Sequence, residues 1–347
     1  MQTLRLTVDC HDMDHPGSQA SIQTAAAILQ RGGTVAFPTE TVYGLGANAL
    51  DAEAVSRIFS AKQRPFWDPL IVHIANREML ARVAAGVPEN ALRLMDAFWP
   101  GPLTLLLTRH DNIPEIVTAG RPLVGVRMPQ HLVAHALIQA ANLPIAAPSA
   151  NTFGRTSPTQ ALHVLEDLDG RIDAVLDAGE TTHGLESTVV EAGDERCIVY
   201  RPGVITLEQI RAVCPEAIAY SESHLIFETP PHSLPSPGVG IRHYAPRARL
   251  VLLETEEKHV LEEAIAAAKG ERLGLMLPNG FKPGYAGSHA VIYHWGSWEN
   301  PEELAQRLFA GLRWLDSQGV TVILCPMPQA KGVGVAIRDR LRKAAKG

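Results

Sequence analysis

Between residues 221 and 246 the chain reads SESHLIFETPPHSLPSPGVGIRHYAP, with Pro230, Pro231, Pro235, Pro237 and Pro246 crowded into one stretch. Proline fixes φ, lacks a backbone N–H and clashes with a preceding helical turn, so neither a helix nor a central strand is expected there. The stretch is too long for an ordinary connection and reads as a linker or a functional loop. It separates residues 1–220 from residues 247–347, and each part has the length of a domain.

Residues 1–220 alternate short β-rich runs with helical patterns. Thr34–Phe37, Leu70–Ile74, Leu103–Thr108, Val124–Arg127, Pro144–Ala147, Ala174–Leu176, Ser187–Val190 and Ile198–Tyr200 read as strands. Several lack strict alternation, as expected of strands buried on both faces. Helices are expected over Ser21–Arg31, after an N-cap at Asp51, over His131–Ala141 and over Pro158–Leu168. Residues 247–347 repeat the alternation on a smaller scale. Leu250–Leu253, Leu273–Leu277, Ala290–Tyr293 and Val320–Leu324 read as strands between the helices Glu256–Ala268, Pro301–Ser317 and Val333–Ala345. That order suggests a small parallel sheet. The fold class is α/β throughout.

Hydrophobic residues make up 46% of the chain, enough to build cores, which excludes wholesale disorder. A net charge of −6 disfavours a protein that coats nucleic acid with a broad basic face. No apolar run reaches the length of a membrane span, and Met1–Ser18 does not read as a secretory signal. Cys10, Cys197, Cys214 and Cys325 form no CxxC pair, so a zinc ribbon is not expected and reduced thiols in the cytoplasm are. Cys10, His11, Asp12, Asp14 and His15 have metal-ligating side chains but no ligand spacing.

Candidate chemistry collects at strand ends. GTVAFPTETVYGLG (Gly33–Gly46) leaves a strand at Phe37 and projects Thr39, Glu40, Thr41 and Tyr43 beyond its C-terminal end, where open α/β sheets hold ligands. Lys62 and Arg64 would point the same way in an extended chain, suiting a polyphosphate, and both are expected to be partly exposed. The plain alternative is a solvated helix end. His73, taken alone, reads as a core histidine. Arg127 ends an apolar strand and needs a partner, either a substrate carboxylate or an Asp or Glu of this chain. Ala147 to Asn151 (APSAN) closes another strand with small residues that admit a ligand closely. Ser157–Pro158–Thr159 is expected to open a helix at an anion-friendly N-terminus. Ser187 begins a strand and Arg201 ends one. Hydroxyls and cations without a metal triad describe a cleft for phosphate and carboxylate groups.

Several of these segments resemble one family in sequence and order. PTETVYGLG (Pro38–Gly46), the KxR of Lys62 and Arg64, PLIVHI (Pro69–Ile74), the SxN of Ser149 and Asn151, SPT (Ser157–Thr159) and ESTVV (Glu186–Val190) resemble the catalytic domain of the threonylcarbamoyl-AMP synthases of the Sua5/YrdC/YciO family. SPGVGIRHYAP (Ser236–Pro246) and GVAIRDRLRKAA (Gly334–Ala345) resemble the interdomain loop and C-terminal signature of its long Sua5 form. The resemblance implies a twisted mixed-sheet YrdC-like domain over residues 1–220, a linker or lid loop over 221–246, and a smaller Rossmann-like domain over 247–347. It implies that L-threonine, bicarbonate or CO2, and ATP with Mg2+ give threonylcarbamoyl-AMP and pyrophosphate. A threonylcarbamoyl-transferase complex is then the acceptor and tRNA the eventual target, with contact to tRNA itself a further expectation and no membrane partner. Catalysis falls to Lys62, Arg64, Ser149 and Asn151. Threonine falls to Thr39, His73, Arg127, Ala147 and Ser187. ATP falls to Lys62, Arg64, Phe66, Leu123, Ser149, Asn151, Ser157, Arg201, His243 and Tyr244. Two other readings remain: a carbamoyltransferase like the hydrogenase-maturation factors that carry a similar domain, and a non-catalytic module binding structured RNA.

Overall fold

The computed structural model describes residues 2–220, 236, 243–254, 257–281 and 289–346. The loop expected over 221–246 lies outside the described residues except at Ser236 and from His243 onward. Two compact units are present. One comprises Met1–Phe153, Pro158–Thr182 and Glu186–Gly240, the other Gly154–Ser157, His183–Leu185 and Ile241–Gly347.

The first unit is built on a mixed sheet. In spatial order its strands are Leu4–Thr7, Ala174–Asp177, Val35–Phe37, Gly44–Asn48, Ile145–Ala146, Ile71–His73, Leu123–Arg127, Leu103–Arg109, Thr188–Ala192, Cys197–Arg201 and Ile218–Ala219. Ile71–His73 runs parallel to Leu123–Arg127, which runs antiparallel to Leu103–Arg109. Leu103–Arg109 in turn runs parallel to Thr188–Ala192. This alternation brings the C-terminal end of one strand beside the N-terminal end of its neighbour, so residues distant in sequence meet at one edge.

Helices close over the sheet because their apolar stripes match it. Ile22 and Leu29 of Pro16–Gln30, Val55 and Ile58 of Ala52–Lys62, and Leu137 of Leu132–Ala141 are buried in the same core as Phe37, Leu45 and Val72. Burying each such side chain contributes about 1.5–3 kcal/mol. Asp51 caps its helix as its sequence position predicts, accepting from the N–H groups of Glu53 and Ala54. The first helix starts at Pro16 rather than at Ser21, since proline suits a first helical turn whose N–H groups are unbonded anyway.

In the second unit the strands lie in the order Arg249–Leu253, Val322–Pro326, Leu273–Leu277 and Val291–His294, all parallel. Lys258–Ala267, Pro301–Ser317 and Gly334–Ala345 are its helices. Leu304, Leu308, Leu312 and Leu315 fall on one buried face of the second of them. His243 and Tyr244 belong to this unit. The Tyr244 ring is stacked on Phe309, with centroids 5.5 Å apart, and the Arg340 guanidinium carbon lies 5.2 Å from its centre. Among the described residues no helix is long and apolar enough to cross a membrane.

Candidate active site

Within the first unit two polar clusters form at strand ends. Arg127 is the last residue of its strand, paired in register with His73 on one side and Thr104 on the other. Its guanidinium is held by three groups from two segments. Nε donates to the Gly101 carbonyl (3.2 Å), Nη1 donates to Thr41 Oγ1 (2.8 Å), and Nη2 lies 2.7 Å from Glu40 Oε1. Thr41 Oγ1 is in turn 2.7 Å from Thr39 Oγ1, which donates to the Val42 carbonyl. The turn after Phe37 thus folds back on itself and presents Glu40 and Thr41 to Arg127. Of the two partners expected for Arg127, the one present is a carboxylate of this chain.

His73 is 3% exposed. Burial, with the Arg127 charge added, pushes its pKa down to about 3, so the imidazole is neutral at ordinary pH. It is a buried histidine, as its apolar strand suggests, but one placed against the Glu40–Arg127 pair. Burial pushes the Glu40 carboxyl up; the Arg127 charge and hydrogen bond, aided by backbone N–H groups, outweigh this and hold it below the usual range.

Thr104 leads to the second cluster. Its Oγ1 is 2.8 Å from Ser187 Oγ, and Arg201 reaches Ser187 through Nε to the carbonyl (3.0 Å) and Nη2 to the hydroxyl (3.0 Å). Asp68, fully buried, has Arg64, Lys62 and Arg201 as its charged neighbours. Burial outweighs these cations and leaves its carboxyl raised. Arg64 Nη2 lies 2.9 Å from Asp68 Oδ1, while Nε and Nη2 also donate to the carbonyls of Asp68 and Pro69.

Lys62 and Arg64 differ from expectation. They are 1% and 8% exposed rather than partly open to solvent. Nor are they parallel arms of an extended chain. Lys62 ends a helix, and Gln63 caps it in the left-handed conformation (φ 55°), turning the chain before Arg64. The Lys62 ammonium donates to the carbonyls of Ser149 (2.6 Å) and Asn151. The KxR and SxN segments therefore meet through the backbone of the latter.

The remaining candidates are placed as follows. Ala147 is buried, and its N–H donates to the Ile71 carbonyl. Leu123 starts the strand that Arg127 ends. Phe66 is 62% exposed, with its ring 4.9 Å from that of Phe59. Ser157 falls in the second unit with His243 and Tyr244. Ser157 to Thr159 do not open a helix; the helix is Ala161–Leu168, with Gln160 at its cap, and the Thr159 N–H donates to His163 Nδ1. The sequence places Glu40 and Thr41 at a ligand position without linking them to Arg127, and it singles out neither Asp68 nor Thr104. The spacing of Asp68 four residues after Arg64 was a usable signal for one of them.

The fold and these clusters define an α/β protein whose strand ends hold buried cations among hydroxyls, a class suited to anionic substrates. The family model for Sua5, YciO and YrdC proteins, described as telomere recombination, matches residues 27–203. The model of the threonylcarbamoyl-AMP synthase C-terminal domain matches 205–346. The chain belongs to the Sua5/YrdC/YciO family. It is 44% identical over 331 residues to a threonylcarbamoyl-AMP synthase of Pyrococcus abyssi, covering 93% of this chain and 94% of that one. It is 42% identical over 351 residues to that of Bacillus subtilis, covering 100% and 99%. The crystal structure of P. abyssi Sua5 complexed with L-threonine superposes with a TM-score of 0.90 at 41% identity, over 99% of this chain and 98% of that one.

Proposed function

We propose that this chain is an L-threonylcarbamoyladenylate synthase, a nucleotidyltransferase that joins L-threonine, bicarbonate or CO2, and ATP into threonylcarbamoyl-AMP and pyrophosphate. The observation that carries the reading is the run from Glu40–Arg127 through Thr104 and Ser187 to Arg201, with Asp68 paired to Arg64 and feeling the charges of Lys62 and Arg201. It sets a carboxylate-binding guanidinium at one end and a group of buried cations at the other.

In this reading the threonine amine adds to CO2 and loses a proton, giving a carbamate. A carbamate oxygen attacks the α-phosphorus of ATP and pyrophosphate leaves. Such a transfer needs positioning and charge neutralisation more than a nucleophilic side chain. Arg127, with Thr39, His73, Ala147 and Ser187, holds threonine. Lys62, Arg64 and Arg201 face the phosphates. Phe66, Leu123, Ser149 and Asn151 complete the ATP site within the first unit. Among the described residues no group of three or more His, Cys, Asp or Glu is placed to hold a metal ion. Mg2+ would enter as a companion of the ATP phosphates and offset their charge. The product passes to a threonylcarbamoyl-transferase complex that makes N6-threonylcarbamoyladenosine in tRNA, and the protein works in the cytoplasm.

The test is pyrophosphate release by the purified full chain with each substrate omitted in turn. Release that requires both threonine and bicarbonate is expected. Equal release without threonine rejects the reading, and turnover of carbamoyl phosphate in its place would favour the carbamoyltransferase alternative.

A further inference from the structure

The two clusters differ in how their charges are matched. Asp68 faces three cations, Arg64, Lys62 and Arg201. Among the described residues Glu40 faces one, Arg127, at 2.7 Å, with both side chains almost wholly buried (6% and 4% exposed). His73 beside them is neutral at ordinary pH. A buried lone arginine would favour any carboxylate. A buried arginine bound one-to-one to a glutamate presents a positive and a negative group side by side, with no net charge.

We propose that Glu40 is a specificity-determining residue that makes the amino-acid subsite electroneutral, so that it accepts a zwitterion and rejects simple carboxylates. This rests on the reading of Arg127 as the carboxylate-binding group. A zwitterionic α-amino acid carries its ammonium and its carboxylate on the same carbon, matching Glu40 and Arg127 together. A hydroxy acid of the same shape would bring an anion to a pair that has no spare positive charge, and lose its hydration without compensation. An amino alcohol would bring a cation with the same penalty. Rejection here comes from an element set against the wrong ligand, as discrimination between isosteres requires.

The experiment compares L-threonine, 3-hydroxybutanoate and threoninol on the wild-type full chain and on Glu40→Gln, by ligand-induced melting shift and by inhibition of pyrophosphate release. In the wild type both analogues are expected to bind at least about 10-fold more weakly than threonine, from the loss of one charge-assisted contact. In Glu40→Gln threonine weakens by about 10-fold while 3-hydroxybutanoate tightens. Equal binding of 3-hydroxybutanoate and threonine to the wild type overturns the proposal, and does so even if the variant fails to fold. Parallel weakening of both ligands in Glu40→Gln also overturns it, since Glu40 would then only prop Arg127. Arg127→Lys separates the two levels: unchanged threonine binding there removes the reading of Arg127, whereas a loss there with no change in Glu40→Gln removes only the role of Glu40.

Discussion

The carboxylate of Asp68 stands 2.9 Å from the Arg64 guanidinium, with side chains 0% and 6% exposed. Removing one partner of such a pair leaves a buried charge uncompensated, at a cost of about 3–5 kcal/mol. Asp68→Ala should therefore lower the melting temperature by about 10 °C, given roughly 2–4 °C per kcal/mol in a unit of this size. A shift under about 2 °C in a thermal melt would show that solvent reaches the site. The same burial means that Arg64→Ala will cost stability as well as activity.

Lys62→Ala should raise the KM for ATP by about 10- to 150-fold, the equivalent of one or two charge-assisted hydrogen bonds. It also strips the Ser149 and Asn151 carbonyls of their shared donor, so the Ser149–Asn151 segment should loosen. Steady-state kinetics with ATP varied checks the first effect, and faster amide exchange at residues 149–153 checks the second. An unchanged KM for ATP would place Lys62 in the scaffold alone.

His73 predicts a pH effect on stability. Its pKa is about 6.5 when unfolded and about 3 when folded, so below about pH 6.5 the unfolded chain takes up a proton that the native state refuses. The contribution is complete above that pH and is lost as pH falls toward 3, with a limiting slope of about 1.4 kcal/mol per pH unit. The melting temperature should fall between pH 6.5 and 5, and fall less steeply in His73→Gln. Identical slopes for the two proteins would show that other groups control it.

Gly203 follows Arg201 by two residues, and a Cβ there would lie 2.4 Å from the Thr188 nitrogen and 2.7 Å from the Glu186 carbonyl oxygen. Both obstacles are backbone and cannot rotate aside. Gly203→Ala should cost about 3 kcal/mol and shift the segment that carries Ser187, raising the KM for threonine. Wild-type melting and kinetics together would contradict this.

What the sequence made legible was local. The Asp51 cap acts on N–H groups two and three residues away, and the leucines of Pro301–Ser317 share a face through helical spacing alone. Gly44–Asn48 was not readable as a strand, because GLGAN lacks β-branched and aromatic residues. It is a strand because a side chain at Gly46 would meet Phe37 and Ile145 at 2.7 Å, so glycine lets those neighbours close in. The partner of Arg127 was open for a related reason. Glu40 reaches it only through the turn after Phe37 and the registers of separate strands, which no spacing in the sequence encodes. The burial of Lys62 and Arg64 likewise follows from the left-handed Gln63 and from carbonyls of residues far along the chain.

The strand Leu4–Thr7 pairs in parallel with Ala174–Asp177. During synthesis this strand must therefore wait for a partner translated about 170 residues later, roughly 10–30 s at ordinary elongation rates. Through that interval an open strand edge faces the crowded cell, a standing invitation to pair with the wrong chain. The segment LRLT limits the hazard by being short and by carrying the cation of Arg5, which finds Asp177 at 2.7 Å only once the distant strand arrives.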